Sequence, residues 1–154
     1  MAMAEKEKPP TFRSRPLTLI YNLPYGKVAK FWEALKEGKV ITTKCKKCGK
    51  VYFPPQMDCP QCMTSDMEWI ELSDEAVLEA FSIVVVRPAS FEKYNPYILA
   101  IGRLVREDVK ISTWLLDVDP MEAAKGKVKV GMKLKLVVRE VDPGRPLYYF
   151  VPAE

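Results

Sequence analysis

Histidine is absent from the 154 residues, and the only four cysteines all lie between positions 45 and 62. Without an imidazole the chain has no Ser-His or Cys-His nucleophile pair. A metal that takes all four thiols leaves no free thiol for covalent catalysis either. No apolar run approaches the roughly 18 residues of a membrane-spanning helix. No signal-peptide pattern stands at the N-terminus, which points to a cytoplasmic protein with reduced thiols. Nor does any pair of carboxylates stand out as an acid/base couple. These absences argue against an independent enzyme.

The cysteines form two C-x-x-C pairs, Cys45-Lys46-Lys47-Cys48-Gly49 and Cys59-Pro60-Gln61-Cys62. A C-x-x-C turn presents two thiolates from one bend, and a second such turn completes a tetrahedron about a metal ion. Gly49 suits the residue after the first pair, where positive φ is common, while Met63 occupies the matching place in the second. Two disulfides would suit an oxidising compartment, and a thioredoxin-like redox pair would need an adjoining βαβ pattern that is not visible. A four-thiolate iron site shares the geometry of a zinc site. The reading adopted is structural zinc on Cys45, Cys48, Cys59 and Cys62, with no open coordination position for catalysis.

Charge is divided unevenly along the chain. Residues 1–50 hold 12 Lys/Arg against 4 Asp/Glu, and residues 51–154 hold 12 against 16, within a total of +4. Residues 1–16 read as a polar, proline-containing arm, and Leu17–Tyr21 as an apolar patch that packs on the body or on a partner. Val28, Phe31, Trp32 and Leu35 recur at helical spacing and Gly38 follows, which predicts a helix over about 26–37. Its stripe either docks on the rest of the chain or offers Phe31 and Trp32 to another protein.

Strands are expected at 40–43 and 50–53 around the first knuckle and at 69–72 after the second, the layout of a zinc ribbon. Beyond residue 74 the chain is rich in β-branched residues. Strands at 77–86, 97–105 and 110–118 precede a helical turn at 119–125, capped by Asp119 with Pro120 behind it. Two more strands follow at 132–141 and 147–151. Three strands, a short helix and two strands is the order of an OB-fold, a five-stranded Greek-key barrel. The expected class is therefore mainly β. It comprises an N-terminal arm and helix (1–39), a rubredoxin-like ribbon (40–73) and a C-terminal OB-fold (74–154).

This order of parts resembles the archaeal and bacterial family of zinc-ribbon/OB-fold acyl-CoA-associated proteins, formerly a domain of unknown function. The matching residues are Phe31-Trp32-Glu33-Ala34-Leu35 with Gly38, the two cysteine knuckles, and Phe53-Pro54-Pro55. Pro96-Tyr97 and Val130-Gly131-Met132, opening the second and fourth barrel strands, continue the match. Gln56 stands where the family commonly has arginine, and Glu75-Ala76 replace a glycine-rich turn. The resemblance spans about residues 26 to 152. It implies a non-catalytic accessory protein of lipid or isoprenoid metabolism. Such a protein associates with thiolase, 3-hydroxy-3-methylglutaryl-CoA synthase or another CoA-condensing enzyme.

On that reading the chain binds CoA or acyl-CoA, whose phosphates suit a basic rim beside an aromatic groove. The candidate ligand-binding residues are Lys44, Lys47, Phe53 and Arg87. The lysines also have a plainer role, since four thiolates and Zn²⁺ carry about −2 for them to offset. Partner binding is expected chiefly through the basic N-terminal part with its apolar groups Leu19, Ile20, Tyr21, Phe31 and Trp32. A single-stranded nucleic-acid binder is the alternative, since both modules serve that use and Trp114 could stack a base. The near-balance of 12 basic against 11 acidic residues over 75–154 weighs against it.

Overall fold

The computed structural model describes residues 10–12, 14, 19, 21–22, 24–94 and 96–153. Most of the N-terminal arm, and Leu17, Thr18 and Ile20 of the apolar patch, lie outside the described residues; Leu19 and Tyr21 are exposed. A 3₁₀ turn, Gly26–Val28, leads into α1 (Ala29–Lys36). Gly38 takes φ +78° just after it. Phe31, Ala34 and Leu35 are buried, whereas Trp32 on the stripe's edge stays 39% exposed. The stripe thus packs within the chain, but not all of it.

The ribbon is a three-stranded antiparallel sheet of β1 (Ile41–Cys45), β2 (Val51–Tyr52) and β3 (Met67–Glu71), with β1 central. Thr42 and Thr43 are fully buried on β1 and are both satisfied. The Thr42 hydroxyl donates to the Tyr52 carbonyl. Thr43 Oγ1 donates to the Gln56 carbonyl at 2.7 Å and accepts from the Gln56 N–H at 2.9 Å. This pairing holds the chain between the knuckles against the sheet.

The second sheet is a closed barrel in the order β4-β5-β6-β8-β7, built from β4 (Glu75–Val84), β5 (Tyr97–Leu104), β6 (Lys110–Leu115), β7 (Lys133–Asp142) and β8 (Arg145–Pro152). Every neighbouring pair is antiparallel except β6 and β8, which close the barrel in parallel at Leu115 and Phe150. Between β6 and β7 lies the turn Pro120–Glu122, with the Asp119 carboxylate accepting from the Met121 and Glu122 amides. That is the expected cap. The first barrel strand starts at Glu75, earlier than the β-branched run suggests, and ends before Val85 and Val86, which are exposed.

One hydrophobic core runs through helix, ribbon and barrel, joining Phe31 and Leu35 to Ile41, Leu72, Leu78, Ile98, Leu134 and Phe150. At the junction three rings from the three parts meet edge to face. Phe31 lies 6.1 Å from both Phe53 and Tyr148, and Phe53 lies 5.1 Å from Tyr148. Across the other side of the junction, Ser73 donates its amide (3.0 Å) and hydroxyl (2.6 Å) to the Glu107 carboxylate, which also takes Arg106 at 2.7 Å. Burial alone would raise the Glu107 carboxyl, but the Ser73 and Arg106 hydrogen bonds outweigh it and hold the group below its ordinary range.

A depressed carboxyl stabilises the fold above its unfolded value, near pH 4.3, and loses that contribution as pH falls through the folded value. Glu107→Gln is therefore expected to cost about 1–3 kcal/mol at pH 7. The gap to the unsubstituted chain should close as pH falls toward 3. Urea unfolding at matched metal content measures it, and a gap that does not depend on pH would contradict this role.

Candidate metal centre and barrel-face groove

Both knuckles are built alike. Gly49 N–H donates to Cys45 O and Met63 N–H to Cys59 O, each at 2.8 Å. Gly49 takes φ +74° and Met63 φ +52°, so the second turn places an ordinary side chain where the first uses glycine. Met63 is 87% exposed, so its side chain meets no packing conflict, and the cost of the left-handed conformation is confined to its own backbone. Cys45 and Cys59 are buried, Cys62 is half-buried and Cys48 is exposed.

The four sulfurs lie within 4.8 Å of one another, and Cys48 Sγ is 3.8 Å from Cys59 Sγ. Sulfurs about 2.3 Å from a central ion at the corners of a tetrahedron stand about 3.8 Å apart. The donor set thus fits a four-thiolate ion in size and in chemistry. The Tyr52 hydroxyl, 3.2 Å from Cys59 Sγ, draws that thiol down to about 6. Cys62 is pushed up to about 12, chiefly by its hydrogen bond to Cys48. Thiols this close hold protons unequally, and a divalent cation is what allows all four to be thiolates together.

A second feature lies on the barrel. A cavity of about 870 Å³ runs along β6 and β8, reached by Trp32 of α1, by Phe91, Lys93 and Tyr94 of the β4–β5 loop, and by Asp142 and Arg145 of the β7–β8 hairpin. Trp114 of β6 stacks on Tyr97 at 4.5 Å and meets Tyr94 edge-on at 5.3 Å. The Tyr94 hydroxyl donates to Asp142 at 2.5–2.6 Å, and Lys93 pairs with the same carboxylate at 2.8 Å. One carboxylate thus ties the loop to the hairpin. Lys93, Tyr94 and Arg145 hold its ionisation below the ordinary range.

The four residues read from the sequence as ligand-binding candidates are not brought together at this cavity, and none lines it. Lys44 lies on the central ribbon strand, 3.7 Å from Glu68. Lys47 is exposed within the first knuckle and has no ion pair among the described residues. Phe53 belongs to the three-ring junction. Arg87 donates to the Tyr94 carbonyl and so braces the β4–β5 loop from behind. Phe91, Tyr94 and Trp114 stand out individually as aromatics in the sequence. Their convergence depends on the hairpin geometry, which no local pattern encodes.

Residues 32–68 match the rubredoxin-like zinc ribbon domain of ChsH2, and residues 69–139 its C-terminal OB-fold domain. A DUF35 domain-containing scaffold protein of Methanocaldococcus jannaschii is 35% identical over 116 residues, covering 74% of this chain and 78% of that one. The chain belongs to the DUF35 family of zinc-ribbon/OB-fold proteins. It is also similar, at 28% identity over 149 residues, to a probable enoyl-CoA hydratase alpha subunit of Thermomonospora curvata. The match takes in 96% of this chain but only 42% of that subunit. Among solved structures, a chain of the Ltp2-ChsH2(DUF35) aldolase superposes with a TM-score of 0.69 at 28% identity. That superposition covers 82% of this chain and 94% of the other. The two-module DUF35 architecture is thus shown in both sequence and fold.

Proposed function

We propose that this DUF35 protein is a non-catalytic scaffold subunit that docks on a thiolase-like, CoA-condensing enzyme and helps hold CoA or acyl-CoA there. The observation that carries the reading is the match over most of the chain to a DUF35 component of an aldolase complex, joined to the M. jannaschii scaffold relative. Chemistry within the chain supports it. The four thiols form one cluster, no imidazole exists, and among the described residues Glu79, Glu107, Asp117 and Asp142 are engaged by cations. Cys45, Cys48, Cys59 and Cys62 would hold one zinc ion whose part is to fold the ribbon, in a cytoplasmic setting that keeps them reduced.

Docking through the N-terminal part is favoured by the exposed Leu19, Tyr21, Tyr25 and Trp32, which lie within the basic first 50 residues. Positive charge there would steer an acidic partner, and buried aromatic anchors would keep the complex together in salt. The division of labour predicts catalytic silence. The purified chain should neither condense, thiolyse nor hydrolyse acetyl-CoA or acetoacetyl-CoA. Turnover that rises in proportion to the pure protein would overturn the reading.

A further inference from the structure

The barrel-face groove shares Trp32 with the docking surface, but its other features are used by neither the metal centre nor the docking role. It lies along the third and fifth barrel strands, between the β4–β5 loop and the β7–β8 hairpin. Its volume of about 870 Å³ falls within the common range for small-molecule sites, about 300–1,000 Å³. A half-buried indole, Trp114, is fixed there by stacking on Tyr97, with Phe91 6.4 Å and Tyr94 5.3 Å away. A pre-set indole favours a flat heteroaromatic ring.

The charges choose among flat ligands. Among the described residues Asp142 is the one carboxylate lining the groove, and it is already engaged by the Tyr94 hydroxyl and by Lys93. Arg145 also lines the groove and has no ion pair within 4.0 Å among the described residues. Two cations against one carboxylate leave net positive charge for an anion, and a guanidinium fork matches a phosphate. A neutral sugar would instead look for free carboxylates or amides. A long nucleic-acid strand would need a track of cations, where among the described residues this groove supplies Lys93 and Arg145.

We propose that the groove binds a single nucleoside phosphate, its base against Trp114 and its phosphate on Arg145. The inference deepens the CoA reading above, because CoA ends in such a group. It moves the recognition from the ribbon lysines to the barrel face. Arg87, bonded to the Tyr94 carbonyl, acts as a positioning residue for the loop wall.

Calorimetric titration with adenosine 3′,5′-bisphosphate, CoA and pantetheine tests this on the full zinc-loaded chain. The first two should bind, and pantetheine at least about 10-fold more weakly. Arg145→Ala should weaken the bisphosphate about 10-fold or more, and Lys47→Ala should leave it unchanged. Arg145 is exposed at the start of β8, so folding does not depend on its side chain. Trp114→Leu, checked for native circular dichroism, should also lose binding. Unchanged binding in Arg145→Ala would overturn the assignment. Loss of CoA binding in Lys47→Ala alone would return the ligand to the ribbon and leave the CoA reading standing. Failure of CoA and bisphosphate to bind a chain that still captures its enzyme would remove the ligand and leave the scaffold. A thymidine oligonucleotide that binds more tightly than the bisphosphate, with steep salt dependence, would replace the single nucleotide by a strand.

Discussion

Cys59→Ser is expected to unfold the ribbon. Cys59 is 1% exposed, accepts the Tyr52 hydroxyl and the Cys62 amide, and stands at the second corner of the four-sulfur cluster. A ribbon of three short strands has little apolar interior of its own; its local cluster is Cys45, Tyr52 and Cys59 with Cys62 and Met67 beside them. Metal binding must therefore supply much of its folding free energy, about 10–16 kcal/mol in isolated zinc-finger peptides. The variant should bind well under one equivalent of zinc and lose hydrogen-exchange protection over Ile41–Glu71. Because Val40, Ile41 and Leu72 share the barrel's core, the barrel should also soften. Chelation of the unsubstituted chain should reproduce both effects. A metal-free chain that keeps full protection in the ribbon would contradict the role given to the ion.

The second large effect concerns space. A Cβ on Gly102 would stand 2.5 Å from Cζ and 2.7 Å from Cε2 of Phe150, a fully buried ring at the seam where β6 and β8 close the barrel. Neither distance can be tolerated, and the ring has no flexible tail to move aside. Gly102→Ala should cost about 1–3 kcal/mol or more from overpacking. Gly26→Ala is the matched control: a Cβ there meets nothing within 4 Å, and its φ needs no glycine. Urea denaturation of both should show a lowered midpoint for Gly102→Ala only. Equal midpoints would mean that the barrel yields at this seam.

Why one glycine matters and another does not is invisible along the sequence, since Phe150 lies far from Gly102 in the chain. The same holds for Glu107 and Ser73, which meet only because the β5–β6 turn folds back on the ribbon's last residues. What was legible is local. The cysteine spacing announced two knuckles, the 3.6-residue stripe announced α1, and the β-branched runs and the Asp119-Pro120 cap announced the order of the barrel. Strand ends moved by a few residues where pairing, rather than composition, decides them. Val85 and Val86 are β-formers without a partner strand, whereas Glu75 is a poor one held by Lys135 of β7.

The site was legible to a different degree. The four cysteines that cluster in space also sit close in sequence, and their grouping was readable from type and spacing. The groove is assembled from α1, a loop, two strands and a hairpin, so only its separate aromatics could be noted. Lys44 and Arg87 drew attention as cations near a predicted site. In the fold Lys44 faces Glu68 and Arg87 braces its own loop.

Docking on a CoA-condensing enzyme is the claim on which the account turns, and co-purification tests it most directly. The tagged full-length chain, a form lacking residues 1–25, and Trp32→Ala would each be expressed with the thiolase-like enzyme of the same organism. Trp32 is 39% exposed, so its replacement should leave the fold intact, which circular dichroism verifies. The full-length chain should hold the enzyme through a high-salt wash, and the other two should lose most of it. A full-length, zinc-loaded chain that retains none of the enzyme, even at low salt, would contradict it.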